Sequence, residues 1–351
     1  MARIVVELTN RCNLRCGHCF VGRHAGTGDL PLAIIEKLLR EGKSSGFDHL
    51  AFTGGEPTLH DRFEQIIRQI AKADYTFSLV SNGTNFPRVY PVLLRYSRWF
   101  KGVTFSLDGA REETHNRLRG KGSYRQVMRA ASICVFKDIP FTLNMVLTAE
   151  NRSEVREMVE LGASLGSRAV RFGHLMPTPE TAMRGLDLSP QERLEVEAEI
   201  WRFKESAPIL VAMAPGYFSE SALFPCAPLE LQELNLDYRG NVTLCCHLSG
   251  YSGANNDADF MGNLSEISFA EAVNRSRRMV GTYLAQKEER AARGEFGQLD
   301  HFPCWYCLKH LDKVSWLKNF PNHPWGDQTN SIQRRINDDT RPEISTSSSS
   351  R

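Results

Sequence analysis

Ile4-Val5-Val6-Glu7-Leu8-Thr9-Asn10-Arg11-Cys12-Asn13-Leu14-Arg15-Cys16-Gly17-His18-Cys19 runs from a β-branched strand straight into three cysteines spaced C-x3-C-x2-C. The Ile4–Leu8 run favours extended chain. The thiols that follow offer three ligands to a four-iron cluster and leave one iron without a protein ligand. An open position of that kind separates reactive metal sites from closed structural ones. Zinc competes for any cysteine cluster, so the company the triplet keeps must decide.

Further strand-like runs follow at Leu50–Thr53, Phe77–Ser81, Val103–Leu107, Phe141–Thr148 and Ala169–Phe172. Between them apolar residues recur three and four positions apart, as in Phe63, Ile66, Ile67, Ile70 and in Val127, Ala131, Cys134. Cys134 falls on that apolar helix face and reads as core. Strands separated by amphipathic helices mean βαβ units and a parallel α/β sheet. Six units predict either an open doubly wound sheet or a partial barrel, and both carry their sites at the C-terminal strand ends. The triplet lies on that edge, with Gly54-Gly55-Glu56-Pro57, Ser81-Asn82-Gly83 and Asp108-Gly109 after the next three strands.

The 351 residues suit one large domain and a smaller one. Lys and Arg number 43 against 41 Asp and Glu, a formal +2, which implies no polyanion and so no nucleic-acid partner. No stretch reaches the ~18 apolar residues of a membrane span, and the start is too short and polar for a signal segment. Nine cysteines without an export signal point to a reducing, cytoplasmic setting.

The pattern changes after residue 182. Ser189-Pro-Gln-Glu192 opens a helix with a capping box, expected to run to about Ser206, and residues 183–216 read as a bridge. Residues 217–318 hold the later cysteines and a second Ser-x-x-Glu helix start at Ser268. Residues 319–351 are polar and are expected to be disordered or loosely packed. His24, between Gly22 and Gly28, reads as an exposed loop histidine.

The triplet, Gly54-Gly-Glu-Pro57, Ser106-Leu-Asp-Gly109 and Arg119-Gly-Lys-Gly-Ser-Tyr124 together resemble the radical S-adenosylmethionine (radical SAM) superfamily over about residues 3–180. His18 stands where that family usually has an aromatic. The resemblance implies a partial (β/α)6 barrel of TIM-like form. It implies a [4Fe–4S] cluster on Cys12, Cys16 and Cys19, whose free iron takes the amino and carboxylate groups of SAM. Gly54 and Gly55 would bring backbone to the methionyl amine, beside Glu56 as acceptor and Pro57. Ser81 and Asn82 would meet the methionyl or ribose portion. Ser106 would bind the carboxylate, and Arg119 either adds charge there or is a solvated loop cation. Asn144 and the Leu175-Met176 backbone would face ribose and adenine. Standing alone, Ser106 and Asn144 could equally point at helices.

The later cysteines follow C-x13-G-x4-C…C-x2-C: Cys226, Gly240, Cys245, then Cys304 and Cys307. This resembles the auxiliary-cluster modules called SPASM and twitch, in a smaller cysteine-rich α+β domain. Where the full SPASM pattern places its next cysteine this chain has Lys313, which favours the shorter form and one auxiliary [4Fe–4S] cluster. Structural zinc on the same four thiols remains open. Tyr238-Arg-Gly-Asn241 is a hairpin turn signal. Cys246 is expected on the opposite strand face from Cys245, as a replacement ligand, a hydrogen-atom donor or a structural thiol.

The resemblance implies hydrogen abstraction from a peptide or small-metabolite carbon, giving oxidation, cross-linking or epimerisation, with the auxiliary cluster passing electrons. A flavodoxin or ferredoxin would be the electron donor. The chain opens at its first strand without a winged-helix module, which tilts the expectation toward a small molecule or an independently delivered peptide. Two other classes stay open. A zinc-bearing TIM-like hydrolase would need clustered His and carboxylate ligands, and no H-E-x-x-H appears. An iron–sulfur redox scaffold would need the triplet without the SAM-facing residues.

Overall fold

The computed structural model describes residues 2–21, 28–221, 223–224, 226–252 and 256–326. His24 and residues 327–351 lie outside them. The chain runs β1 (Ala2–Thr9), α1 (Leu32–Glu41), β2 (Phe47–Gly54), α2 (Phe63–Lys72), β3 (Thr76–Ser81), α3 (Phe86–Arg95), β4 (Phe100–Ser106), α4 (Glu112–Arg119), α5 (Ser123–Phe136), β5 (Phe141–Leu147), α6 (Val155–Ser164) and β6 (Ala169–His174). It continues through α7 (Pro179–Met183), α8 (Pro190–Lys204), β7 (Leu210–Met213), β8 (Glu233–Leu236), β9 (Asn241–Thr243), β10 (Phe260–Asn263), α9 (Phe269–Ala292) and α10 (Pro303–His310).

One sheet takes in every strand, in the order β10-β9-β8-β1-β2-β3-β4-β5-β6-β7. Pairing is parallel from β8 through β7, and antiparallel at β8–β9 and β9–β10. Its edges, β10 and β7, do not meet, so the barrel is partial. The strands alternate. Ile4, Val6, Leu8, Leu50, Phe52, Phe77, Leu79, Phe105, Leu143, Met145 and Phe172 face the helices and are almost wholly buried. They pack with Leu38, Ile66, Ile67, Ile70, Val127 and Met158 of the helices and with Cys134, itself core. Each such side chain contributes roughly 1.5–3 kcal/mol by leaving water. Glu7, Thr53, Thr104, Ser106, Thr142, Asn144 and Arg171 occupy the other face of their strands and are only half buried. The inside of the barrel is therefore polar.

Three expectations change. The stretch 183–216 is more than a bridge. It contains β7, which pairs in parallel with β6 at Ala169↔Leu210; four residues are too few for alternation to stand out in sequence. The cysteine-rich region is not set apart either, because its Glu233–Leu236 strand lies parallel beside β1 and extends the same sheet. Residues 319–326 are not loose. Trp325 is 2% exposed, donates from Nε1 to the Leu188 carbonyl at 2.7 Å, and packs 5.0 Å from the rings of Phe302 and Trp305. Composition misleads there because one indole outweighs its polar neighbours. Ser189 caps α8 as expected, reciprocally with Glu192.

Candidate functional site

The cysteine loop leaves β1 and is held by backbone pairing to the end of β2. Gly55 N–H donates to the Thr9 carbonyl, and Glu56 N–H to that of Arg11, both at 2.8 Å. This requires glycine. Gly54 has φ +122°, and a Cβ there would strike the Thr9 carbonyl; one on Gly55 would strike that of Arg11. Arg11 fastens the loop's start, donating to Asp29 at 2.6 Å, the Leu59 carbonyl at 2.7 Å and Asp61 at 2.9 Å.

Glu56 has a different task from direct ligand contact. It is wholly buried, and its oxygens accept from Thr58 Oγ1 (2.7 Å), Ser81 Oγ (2.9 Å) and Asn82 N–H (2.8 Å). Burial raises its pKa, and those donors partly offset the rise. Ser81 is likewise spent inside the protein. Together they lock β2 to β3 and present Asn82, whose Nδ2 lies 2.9 Å from Asn13 Oδ1 and 3.8 Å from Cys12 Sγ.

On the other side Arg119 is no solvated cation. It pairs with buried Asp108, and its guanidinium lies 3.8 Å from Cys16 Sγ. His18 Nε2 is 3.1 Å from the same carboxylate, and Asp108 Oδ1 accepts from Val146 N–H at 2.8 Å. Burial alone would raise Asp108, but Arg119 and His18 hold it far below the usual range. So the loop is pinned to the ends of β4 and β5 as well as β2. The aspartate of Ser106-Leu-Asp-Gly109 had been assigned no role. A carboxylate directly after a strand, on the edge that bears the site, was the signal available.

The three thiols are half buried and within electrostatic reach of one another. Burial pushes all three up, Cys12 to about 11; neighbouring thiols add to the rise at Cys12 and Cys19, while Arg119 works against it at Cys16. A dry cradle of sulfur donors, with an amide and a guanidinium directed at two of them, fits an iron–sulfur cluster: metal binding supplies the charge compensation that lone thiolates would lack. Ser106 and Asn144 are register neighbours on the inner face, and their side chains have no hydrogen-bond partner among the described residues. The Met176 side chain is core, 4% exposed. Pro57 begins a buried turn.

The later cysteines converge as well. Cys304 and Cys307 sit one turn apart at the start of α10, Cys226 precedes β8, and Cys245 follows β9. The hairpin turns at Gly240, with φ +90°. Burial raises Cys226 to about 11, with Cys307 adding to the rise; Cys304 feels Cys307 and Cys226, and Cys245 feels Cys304. Tyr283 Oη lies 3.1 Å from Cys307 Sγ. Desolvated thiols linked through Cys304, which feels Cys307, Cys226 and also Cys246, fit a closed iron–sulfur centre. Cys246 departs from expectation: β9 ends at Thr243, strand alternation no longer applies, and Cys246 is the neighbour that does most to raise the Cys245 thiol. Ligand atoms of His174, His247 and Cys304 also lie within 4.8 Å of one another, a set sequence spacing could not reveal. Phe20, just past the triplet, stacks edge-on with His247 at 6.0 Å and joins the two cysteine groups. No helix among the described residues is long and apolar enough to cross a membrane.

Residues 6–162 match the family described as the Radical SAM superfamily. The AdoMet-dependent heme synthase of Methanosarcina barkeri is 30% identical over 181 residues, 50% of this chain and 51% of that one. The sporulation killing factor maturation protein SkfB of Bacillus subtilis is 24% identical over 66% of this chain and 61% of the relative. Among solved structures, Streptococcus suis SuiB bound to the precursor peptide SuiA aligns over 78% of this chain and 64% of its own, at 15% identity with TM-score 0.63. The protein anSMEcpe, with AdoMet and a peptide bound, aligns over 79% and 82% at 19% identity with TM-score 0.62. At such identities the likeness is one of fold. The chain spans about half the length of the curated relatives it matches.

Proposed function

We propose that this chain, whose residues 6–162 match the Radical SAM superfamily, cleaves SAM reductively and abstracts a hydrogen atom from a carbon of a peptide or small metabolite. The observation that carries this is the triplet itself: three desolvated thiols on one loop, backbone-paired to Gly54-Gly55-Glu56, with no fourth cysteine beside them among the described residues. Bound there, a [4Fe–4S] cluster supplies the electron that splits SAM into methionine and a 5′-deoxyadenosyl radical.

Cys12, Cys16 and Cys19 hold the iron. Asn82 and Arg119 donate toward the Cys12 and Cys16 sulfurs. Gly54 and Gly55 leave backbone open to the amino acid portion of SAM, while Ser106 and Asn144 offer unpaired side chains to its remainder. The polar barrel interior orients the substrate and shields the radical from solvent. Cys226, Cys245, Cys304 and Cys307 hold the auxiliary centre for electron transfer. The product is an oxidised, cross-linked or epimerised carbon. SkfB is by name a maturation protein and SuiB was solved with a precursor peptide, which supports a peptide substrate. A flavodoxin or ferredoxin in a reducing, cytoplasmic setting would supply the electron.

Anaerobic reconstitution tests this. About eight iron and eight sulfide per chain, with 5′-deoxyadenosine formed under reductant, is the expected outcome. No 5′-deoxyadenosine would refute the enzyme. The His174–His247–Cys304 group favours a second reading of the later site, structural zinc. About four iron with one zinc per chain would establish it.

A further inference from the structure

Lys287 of α9 is 1% exposed, yet among the described residues its ammonium has no carboxylate within ion-pair distance. The acids nearby are committed elsewhere. Asp300 lies 3.6 Å from Arg290 and 3.5 Å from Lys309, and Glu233 pairs with Arg3. An ammonium buried without a counter-charge weighs heavily against folding. Lys287 Nζ stands 4.6 Å over the Tyr306 ring and 6.0 Å over that of Tyr283, whose hydroxyl is 3.1 Å from Cys307 Sγ. Burial lowers the Lys287 pKa, and the charges that work against this are first Cys307, then Cys226 and last Asp300.

A second cation packs from α8 against the start of α10, the helix that carries Cys304 and Cys307, with its guanidinium 5.7 Å from the Phe302 ring. Arg193, 4% exposed, lies 4.2 Å from the Trp325 ring and donates to the Leu175 carbonyl at 3.1 Å. It too lacks a carboxylate within ion-pair distance among the described residues; burial lowers its pKa to about 10, against Tyr217 first, then Cys304, Asp187 and Glu197. Two buried cations thus stand near the later cysteines with no carboxylate at ion-pair distance among the described residues, although Asp300 acts on Lys287, and Asp187 and Glu197 act on Arg193, from further away. Four thiolates around an iron–sulfur core carry a net charge of about −2, more negative by one when reduced.

We propose that Lys287, together with Arg193 and the Tyr283 hydroxyl, is the counter-charge of the auxiliary centre and raises its reduction potential, making it an electron sink. Buried cations and hydrogen bonds to sulfur stabilise the more negative, reduced state. That poise suits net oxidation of the substrate over a redox-neutral epimerisation. The proposal rests on the reading that Cys226, Cys245, Cys304 and Cys307 hold iron and sulfide.

The test is a redox titration of the auxiliary centre, followed by electron paramagnetic resonance, in reconstituted full-length protein. K287M is expected to lower the midpoint so that the reduced-to-oxidised ratio at fixed potential falls at least tenfold, a shift of about 59 mV for one electron. K287R keeps the charge and is expected to stay near wild type. Y283F, which removes only the hydroxyl, is expected to fall by less than K287M, and it carries the test if K287M fails to load iron. An unmoved midpoint in a fully loaded K287M, or in Y283F where K287M is empty, overturns the proposal. So does K287R falling as far as K287M. Absence of the centre from wild type overturns the iron reading itself, and this proposal with it.

Discussion

Arg119 and Asp108 form an ion pair inside the protein directly behind Cys16, and through His18 the same carboxylate grips the cysteine loop a second time. The pair ties the C-terminal end of β4 to the loop that would carry the cluster.

Breaking the pair should therefore cost both stability and cluster loading. R119Q removes the main counter-charge of the buried carboxylate, leaving it His18 and the Val146 N–H, and a loss of about 3 kcal/mol is expected. Chemical denaturation and iron analysis after reconstitution measure the two effects. Asp108 is held well below the ~3.9 of an unfolded aspartate. Its stabilisation is present in full above about pH 4 and drains away only as pH falls toward the folded value. R119Q and wild type should converge in acid and differ at neutral pH.

Glu7 runs in the opposite direction. Burial lifts it to about 7, only partly offset by donors such as Asn235 Nδ2, 3.1 Å from Glu7 Oε1. An unfolded glutamate titrates near ~4.3, so the folded state keeps a proton that the unfolded state has released. Stability should decline between about pH 4.3 and 7, by at most about 1.4 kcal/mol per unit, and level off above. E7Q should remove that slope. Urea unfolding of both proteins at pH 5 and pH 8 decides it.

The Gly54-Gly55 turn admits no side chain. G55A drives a methyl into the Arg11 carbonyl, and G54A adds backbone strain of about 1–3 kcal/mol at a positive φ. Both should lower iron retention on the triplet while leaving the auxiliary centre loaded, which cluster-resolved Mössbauer spectra can separate.

Trp325 closes the fold against α8, Phe302 and Trp305. W325A should cost about 3–5 kcal/mol. W325F keeps a ring but gives up the bond to the Leu188 carbonyl, and should cost less. Thermal unfolding measures both.

The alternation of Ile4, Val6, Leu8 and of Leu143, Met145, Leu147 was legible because every second residue must leave water. So was the cysteine triplet, since its ligands are close in sequence. β7 and the role of Trp325 were not legible: four residues, or one, carry no period. Asp108, Lys287 and Arg193 escaped for another reason. Each is an ordinary charged residue in sequence, and only burial without a usual partner, or with an unusual one, marks it out.

By itself the sequence determined the parallel α/β sheet, the edge that bears the site, and the local ligand spacings, because these depend on periods and separations a linear chain already contains. The tertiary structure alone decided that the cysteine-rich region extends the barrel's own sheet beside β1, that Glu56 binds its own neighbours, and that two buried cations stand near the later thiols. Those facts depend on which distant segments share a dry interior. There the energy of a charge is set by what stands beside it in space.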